Sequence, residues 1–164
     1  MNDVVLAACS WLENTSWAVA VRESALAYPV MQWVHFVGLS MWLGACLAVD
    51  LRLIGVGPRR QTAAELSNGL CGWKWIGFGV ACVGGFLLFS AYATMYVSNA
   101  AFLLKVAVLT PLALLWHLVV QQRAGTWTEA EHTSAIGKWA GVIEFVLWIV
   151  VVTAAVGFLL TNVS

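Results

Sequence analysis

Charge is scarce in this chain. Eight Lys and Arg and eight Asp and Glu make up 10% of its 164 residues, where an ordinary soluble domain carries about a quarter. So few charges cannot keep a surface of this size wet, which argues against a soluble enzyme. The two signs cancel to a formal net charge of zero. No basic or acidic field therefore points to nucleic acid or another charged partner. The four cysteines, Cys9, Cys46, Cys71 and Cys82, form neither CxxC nor CxxCH. That spacing encodes no c-type haem attachment, no zinc knuckle and no expected disulfide. No Lys or Arg precedes Arg22 and the apolar run at 4–9 is short, so the N-terminus does not read as a signal peptide. Alternating strand patterns are missing too, which disfavours a β-barrel.

What the chain has in abundance is apolar surface: 62% hydrophobic residues, ten of them Trp, with a mean hydropathy of +0.86. Four stretches, near 30–49, 75–96, 102–120 and 139–160, approach the roughly 20 residues that a helix needs to cross a bilayer. The expectation is an all-α, four-helix transmembrane bundle over 28–164, preceded by an interfacial helix or two broken ones over 1–27. Pro29 after Tyr28 fits the first turn of the first span, where its missing N–H costs nothing.

Lys and Arg set the expected orientation. Arg52, Arg59, Arg60 and Lys74 fall between spans one and two, and Arg123 and Lys138 between spans three and four. The connection at 97–101 and the C-terminus have none. Both basic loops are then expected to face the cytoplasm and both termini to lie outside. Small residues mark close packing: Gly137 with Gly141, Gly44 with Ala48, and Gly77, Gly79, Gly84 and Gly85 in span two.

Ionisable groups at membrane depth are costly and mark functional candidates. At about 1.5 Å per residue, His35 and Lys105 could meet in an outer layer, and His117 and Glu144 in an inner one. The inner pair reads as proton-handling or, better, as a bridge locking span three to span four. Asp50 is expected to pair with another helix and Arg52 to reach headgroups. His132, beside Glu129 and Glu131, reads as a solvated histidine. The two layers differ by roughly 14 Å, too far for His35 and His117 to ligate one haem. His35 alone could bind haem iron, with Met95 as a second ligand or an open sixth position. Gly38 would leave room for the porphyrin, Trp42 would offer an aromatic edge, and Lys105 or Arg22 would meet the propionates. Gln32 or Ser40 could orient the imidazole. A histidine bonded to a neighbouring carbonyl is an equally good account of His35. Copper is a weaker one, because Met31, Met41, Met95 and Cys46 are not clustered.

The run Tyr28-Pro29, His35-Phe36-Val37-Gly38 and Asp50-Leu51-Arg52-Leu53-Ile54-Gly55 resembles an uncharacterised family of small bacterial four-helix membrane proteins, whose signature is YP, a histidine followed by glycine, and DLRLLG. Gly84-Gly85-Phe86-Leu87-Leu88-Phe89 and Asn99-Ala100-Ala101-Phe102 with Lys105 extend the likeness over nearly the whole chain. More distantly, His35 with Trp42-Leu43-Gly44 and Lys105 is similar to copper-resistance-D membrane domains and HemJ-type protoporphyrinogen oxidases. That resemblance implies haem b on His35 with Lys105 as its companion. The expectation is a lipid-embedded haem b electron carrier, working with quinone or within a larger redox complex. Two alternatives stand beside it, a cofactor-free anchor subunit and a porphyrinogen oxidase.

Overall fold

The computed structural model describes residues 3–56, 61–127 and 133–161, and within them every element but a single bridge residue and short turns is helical. Arg59, Arg60 and His132 lie outside the described residues. Helices α1 (Asp3–Glu13) and α2 (Ser16–Glu23) form a pair bent by 68°. Then come α3 (Ala27–Ile54), α4 (Ala63–Ala91), the short α5 (Ala93–Ser98) and α6 (Ala100–Leu104), a π-helical turn (Lys105–Leu109), α7 (Thr110–Trp127) and α8 (Ala135–Thr161). Four of these segments are long and apolar enough to cross a membrane: 27–54, 63–91, 100–124 and 135–155. Their outward faces are apolar as well, with Trp33 71%, Leu115 64% and Val83 61% exposed. A surface of that kind calls for lipid rather than water.

The second span begins a dozen residues earlier than hydropathy suggests. A capping box starts it: Thr62 Oγ1 accepts from Glu65 N–H at 3.1 Å, and Glu65 Oε2 accepts from Thr62 N–H at 2.8 Å. Its first turns carry Glu65, Ser67 and Asn68, which mute the apolar signal without weakening the helix. Lys74 consequently lies within α4, buried, and not in a loop. At the other end of α3, Gly55 takes the left-handed conformation (φ +99°) and its N–H closes back on Leu51 and Arg52, a glycine-specific stop.

α3 and α4 share the longest interface of the fold, and a glycine seam explains it. A Cβ on Gly38 would lie 2.4 Å from the Ala81 nitrogen and 2.7 Å from the Gly77 carbonyl oxygen. Gly77 and Gly84 show the reciprocal crowding against Trp42, Gly38 and His35 backbone. α8 closes on α3 at Gly141, where a Cβ would come 3.1 Å from the Asp50 carbonyl oxygen. Gly44 and Gly79, by contrast, have nothing within 4 Å, so those two expected packing sites look outward.

The α4 end breaks at Tyr92 (φ −144°, ψ 41°), and the bent α1–α2 pair is fastened there. Glu13 Oε1 accepts from Thr94 N–H and Oγ1–H, each at 2.8 Å. Arg22 Nη1 donates to the Glu13 and Ala91 carbonyls at 3.1 and 3.2 Å. Asn99 Oδ1 then caps α6, accepting from Ala101 and Phe102 N–H.

Candidate functional site

The inner face of α3 carries Gly38, Trp42, Ala45, Cys46, Val49, Asp50 and Leu53, a helical stripe that starts small and apolar and ends ionisable. Around its Asp50 end the bundle gathers four of the buried polar groups found among the described residues. Asp50, Lys74, His117 and Glu144 are 0%, 3%, 4% and 1% exposed. They come from four helices, and Cys46 joins them one turn above Asp50. Glu144 Oε1 accepts a hydrogen bond from His117 Nδ1 and a longer one, at 3.4 Å, from Trp148 Nε1. Cys46 Sγ lies 3.7 Å from the same His117 nitrogen. One ligand-type atom each from Cys46, His117 and Glu144 falls within 4.8 Å of the others.

Asp50 lies beside the Glu144 carboxylate, yet neither of its oxygens has a well-formed hydrogen bond. Glu144 Oε2, His117 Nε2 and Trp42 Nε1 are likewise buried without a partner. An unsatisfied buried polar atom costs on the order of 1–3 kcal/mol, more when charged, and these belong to one small cluster. Above it, Trp42 packs edge-on to His117, Trp75 and Trp148 at 4.9, 5.1 and 5.7 Å. Lys74 Nζ donates to Gln121 Oε1 at 2.9 Å and stands 5.7 Å from the Trp75 ring centre.

The structure therefore brings His117 and Glu144 together, as their depths allow, and adds Cys46, Asp50 and Lys74, which sequence reading left as an unclustered soft ligand, an interhelical pairing without a named partner and a residue between spans. Their signal was weak but present: Cys46 and Asp50 stand four apart, on one face with Trp42. Arg52 differs from expectation. It is 7% exposed and donates Nε–H to the Gln61 carbonyl at 2.6 Å, so it holds the α3–α4 connection instead of reaching headgroups.

At the other end, His35 Nδ1 is 2.7 Å from the Ala81 carbonyl oxygen. A carbonyl can only accept, so Nδ1 carries the proton and a neutral ring keeps its lone pair on Nε2. The orienting partner is thus the α4 backbone, whereas Ser40 bonds Phe36. Lys105, in the π-helical turn, lies within electrostatic reach of His35. The other residues expected around a haem are used otherwise. Gly38 is filled by α4, Trp42 is 1% exposed in the distant Asp50-end cluster, and Met95 is 43% exposed on α5. Arg22 is bound to Glu13 and Ala91. The His35 ring itself is flanked by Gly85, whose Cβ would come 3.0 Å from its Cε1. His35 is then fit to be an oriented ligand, without the porphyrin wall read from the sequence.

No family model, curated protein or solved structure matches the chain.

Proposed function

We propose that this chain is a multi-pass membrane protein that holds a cation inside its helix bundle, in the core formed by Asp50, Glu144, His117 and Cys46. The basic residues near that end of the sequence support a cytoplasmic position for it in a bacterial inner membrane, with both termini outside. One observation carries the reading: Asp50 is fully buried, its neighbour is a second carboxyl group, Glu144, and neither of its oxygens has a well-formed hydrogen bond. A carboxylate taken from water into a bilayer-embedded bundle is retained where a positive ligand answers it. Glu144 Oε2 and His117 Nε2, equally unpartnered, extend the same demand across three helices.

Dicyclohexylcarbodiimide, which attacks carboxyl groups in apolar surroundings, tests this directly. It is expected to modify Asp50, identified by peptide mass mapping, because Glu144 is held by His117 and Trp148. Including Na⁺, Ca²⁺, Mn²⁺ or Zn²⁺ in turn is expected to reveal at least one ion that protects. Modification that no cation slows, or none at Asp50 in folded protein, overturns the reading.

A second reading, a haem b electron carrier serving quinone or a redox complex, is supported by the His35 bond to Ala81, which leaves Nε2 for iron. Haem would supply one-electron chemistry, and this chain would contribute the oriented imidazole with Lys105 nearby. Oxidised and dithionite-reduced spectra of protein expressed with haem available are expected to show a Soret band that His35→Ala loses. A colourless wild type removes this reading and leaves the cofactor-free anchor as the alternative to cation binding. Porphyrinogen turnover, assayed directly, would mark the enzyme reading.

A further inference from the structure

The chemistry of the donors narrows the cation, on the reading that the Asp50-end core binds one. We propose that the site is built for a divalent transition metal of the zinc class, ligated by Cys46, His117 and Glu144 with Asp50 completing the set.

Three facts point this way together. The first is convergence: a thiol sulfur, an imidazole nitrogen and a carboxylate oxygen, from α3, α7 and α8, lie within 4.8 Å of one another. Zinc-class ions bind such atoms at about 2.0–2.3 Å, so the donors of a tetrahedral site stand roughly 3.3–3.8 Å apart. The donors need only small shifts to close on an ion. The second is an under-bonded donor: Asp50, 0% exposed and with neither oxygen in a well-formed hydrogen bond, lies within electrostatic reach of both Cys46 and Glu144. It supplies a fourth donor where a structural tetrahedral site requires one. The third is charge. Two carboxylates and a thiolate carry three negative charges. A dication together with Lys74, within electrostatic reach of Cys46 and Glu144, offsets them in a medium that tolerates no surplus.

The same donors disfavour other ions. Calcium and magnesium take six or more oxygens and do not use sulfur or imidazole. Copper(I) prefers thiolate and thioether over two carboxylates. Trp148 Nε1–H, donating to Glu144 at 3.4 Å, acts as the outer partner that orients a ligating carboxylate. Binding an ion through Nδ1 would move the His117 proton to Nε2, leaving a neutral imidazole, and would release the proton of the Cys46 thiol.

Cobalt(II) reports such a site optically, since tetrahedral coordination gives intense visible bands and a thiolate ligand adds a near-ultraviolet charge-transfer band. Titrating untagged, detergent-purified protein with Co²⁺ is expected to produce both, at one ion per chain, with Zn²⁺ bleaching them. Cys46→Ser, close to isosteric, is expected to lose the charge-transfer band. Asp50→Asn is expected to weaken Co²⁺ binding by about ten-fold or more. Bands that persist unchanged in Cys46→Ser belong to Cys9, Cys71 or Cys82 and overturn the proposal. No bands in folded wild type overturn it too. If Na⁺ or Ca²⁺ nevertheless protects Asp50 from carbodiimide, the cation-binding reading stands and only the zinc-class assignment falls; if no ion protects, both fall together.

Discussion

Gly38→Ala is expected to destabilise the protein more than any other single added methyl group at the glycines of the α3–α4 face. The new Cβ would sit 2.4 Å from the Ala81 nitrogen, 2.7 Å from the Gly77 oxygen and 2.9 Å from the Ala81 Cα. All three are backbone atoms of α4, so no rotamer change relieves the clash and the helices must separate. Overpacking of this kind costs roughly 1–3 kcal/mol where a core can adjust, and a helix seam adjusts poorly. The paired control is Gly79→Ala, on the same helix with nothing within 4 Å. There alanine removes backbone entropy from the unfolded chain and is expected to be neutral or to stabilise by up to about 1 kcal/mol. Thermal unfolding midpoints in mild detergent measure both. Equal midpoints for the two variants would mean that the seam is not a tight contact in the folded protein.

That contrast also shows where sequence reading works for this chain and where it stops. Spans were legible because an 18-residue apolar run has few other meanings in a protein this poor in charge. The polar start of α4 was not, because hydropathy weighs Glu65 and Asn68 against a helix that a capping box sustains. Which glycines pack and which look outward was beyond the sequence: Gly38 and Gly79 are both small residues in apolar runs, and only the crossing of two helices separates them. The same holds at the site. Depth along straight helices put His117 and Glu144 in one layer, since 1.5 Å per residue is a reliable ruler. Rotation about each axis, which depth does not report, aims Cys46 and Asp50 at that pair and fills the space beside Gly38 with α4. Charge patterning misled twice. Arg52 and Lys74 were counted as loop charges, but buried cations can be held by single acceptors such as the Gln61 carbonyl and Gln121 Oε1.

Within the buried core, the variants Glu144→Ala and Asp50→Asn are expected to act in opposite ways, although both remove a carboxylate. Glu144 is bonded to His117 and Trp148; removing it strands an imidazole and an indole N–H in a bundle sealed from water. Breaking one side of a buried pair costs on the order of 3–5 kcal/mol, the largest loss expected from any single change here. The double variant His117→Phe with Glu144→Leu removes both partners, and its cost should fall below the sum of the single variants by about 0.5–3 kcal/mol. Asp50 has no well-formed bond of that kind to lose. Its amide keeps the shape of the carboxyl group and removes one member of a pair of adjacent buried carboxyls, so Asp50→Asn should unfold at the wild-type midpoint or above it. A residue whose removal leaves stability intact while ion binding fails is one retained for its ligand, because burial without a partner carries a standing cost. If Asp50→Asn instead falls as far as Glu144→Ala, Asp50 is a structural member of the His117–Glu144 pair, and the core is a latch between α3, α7 and α8.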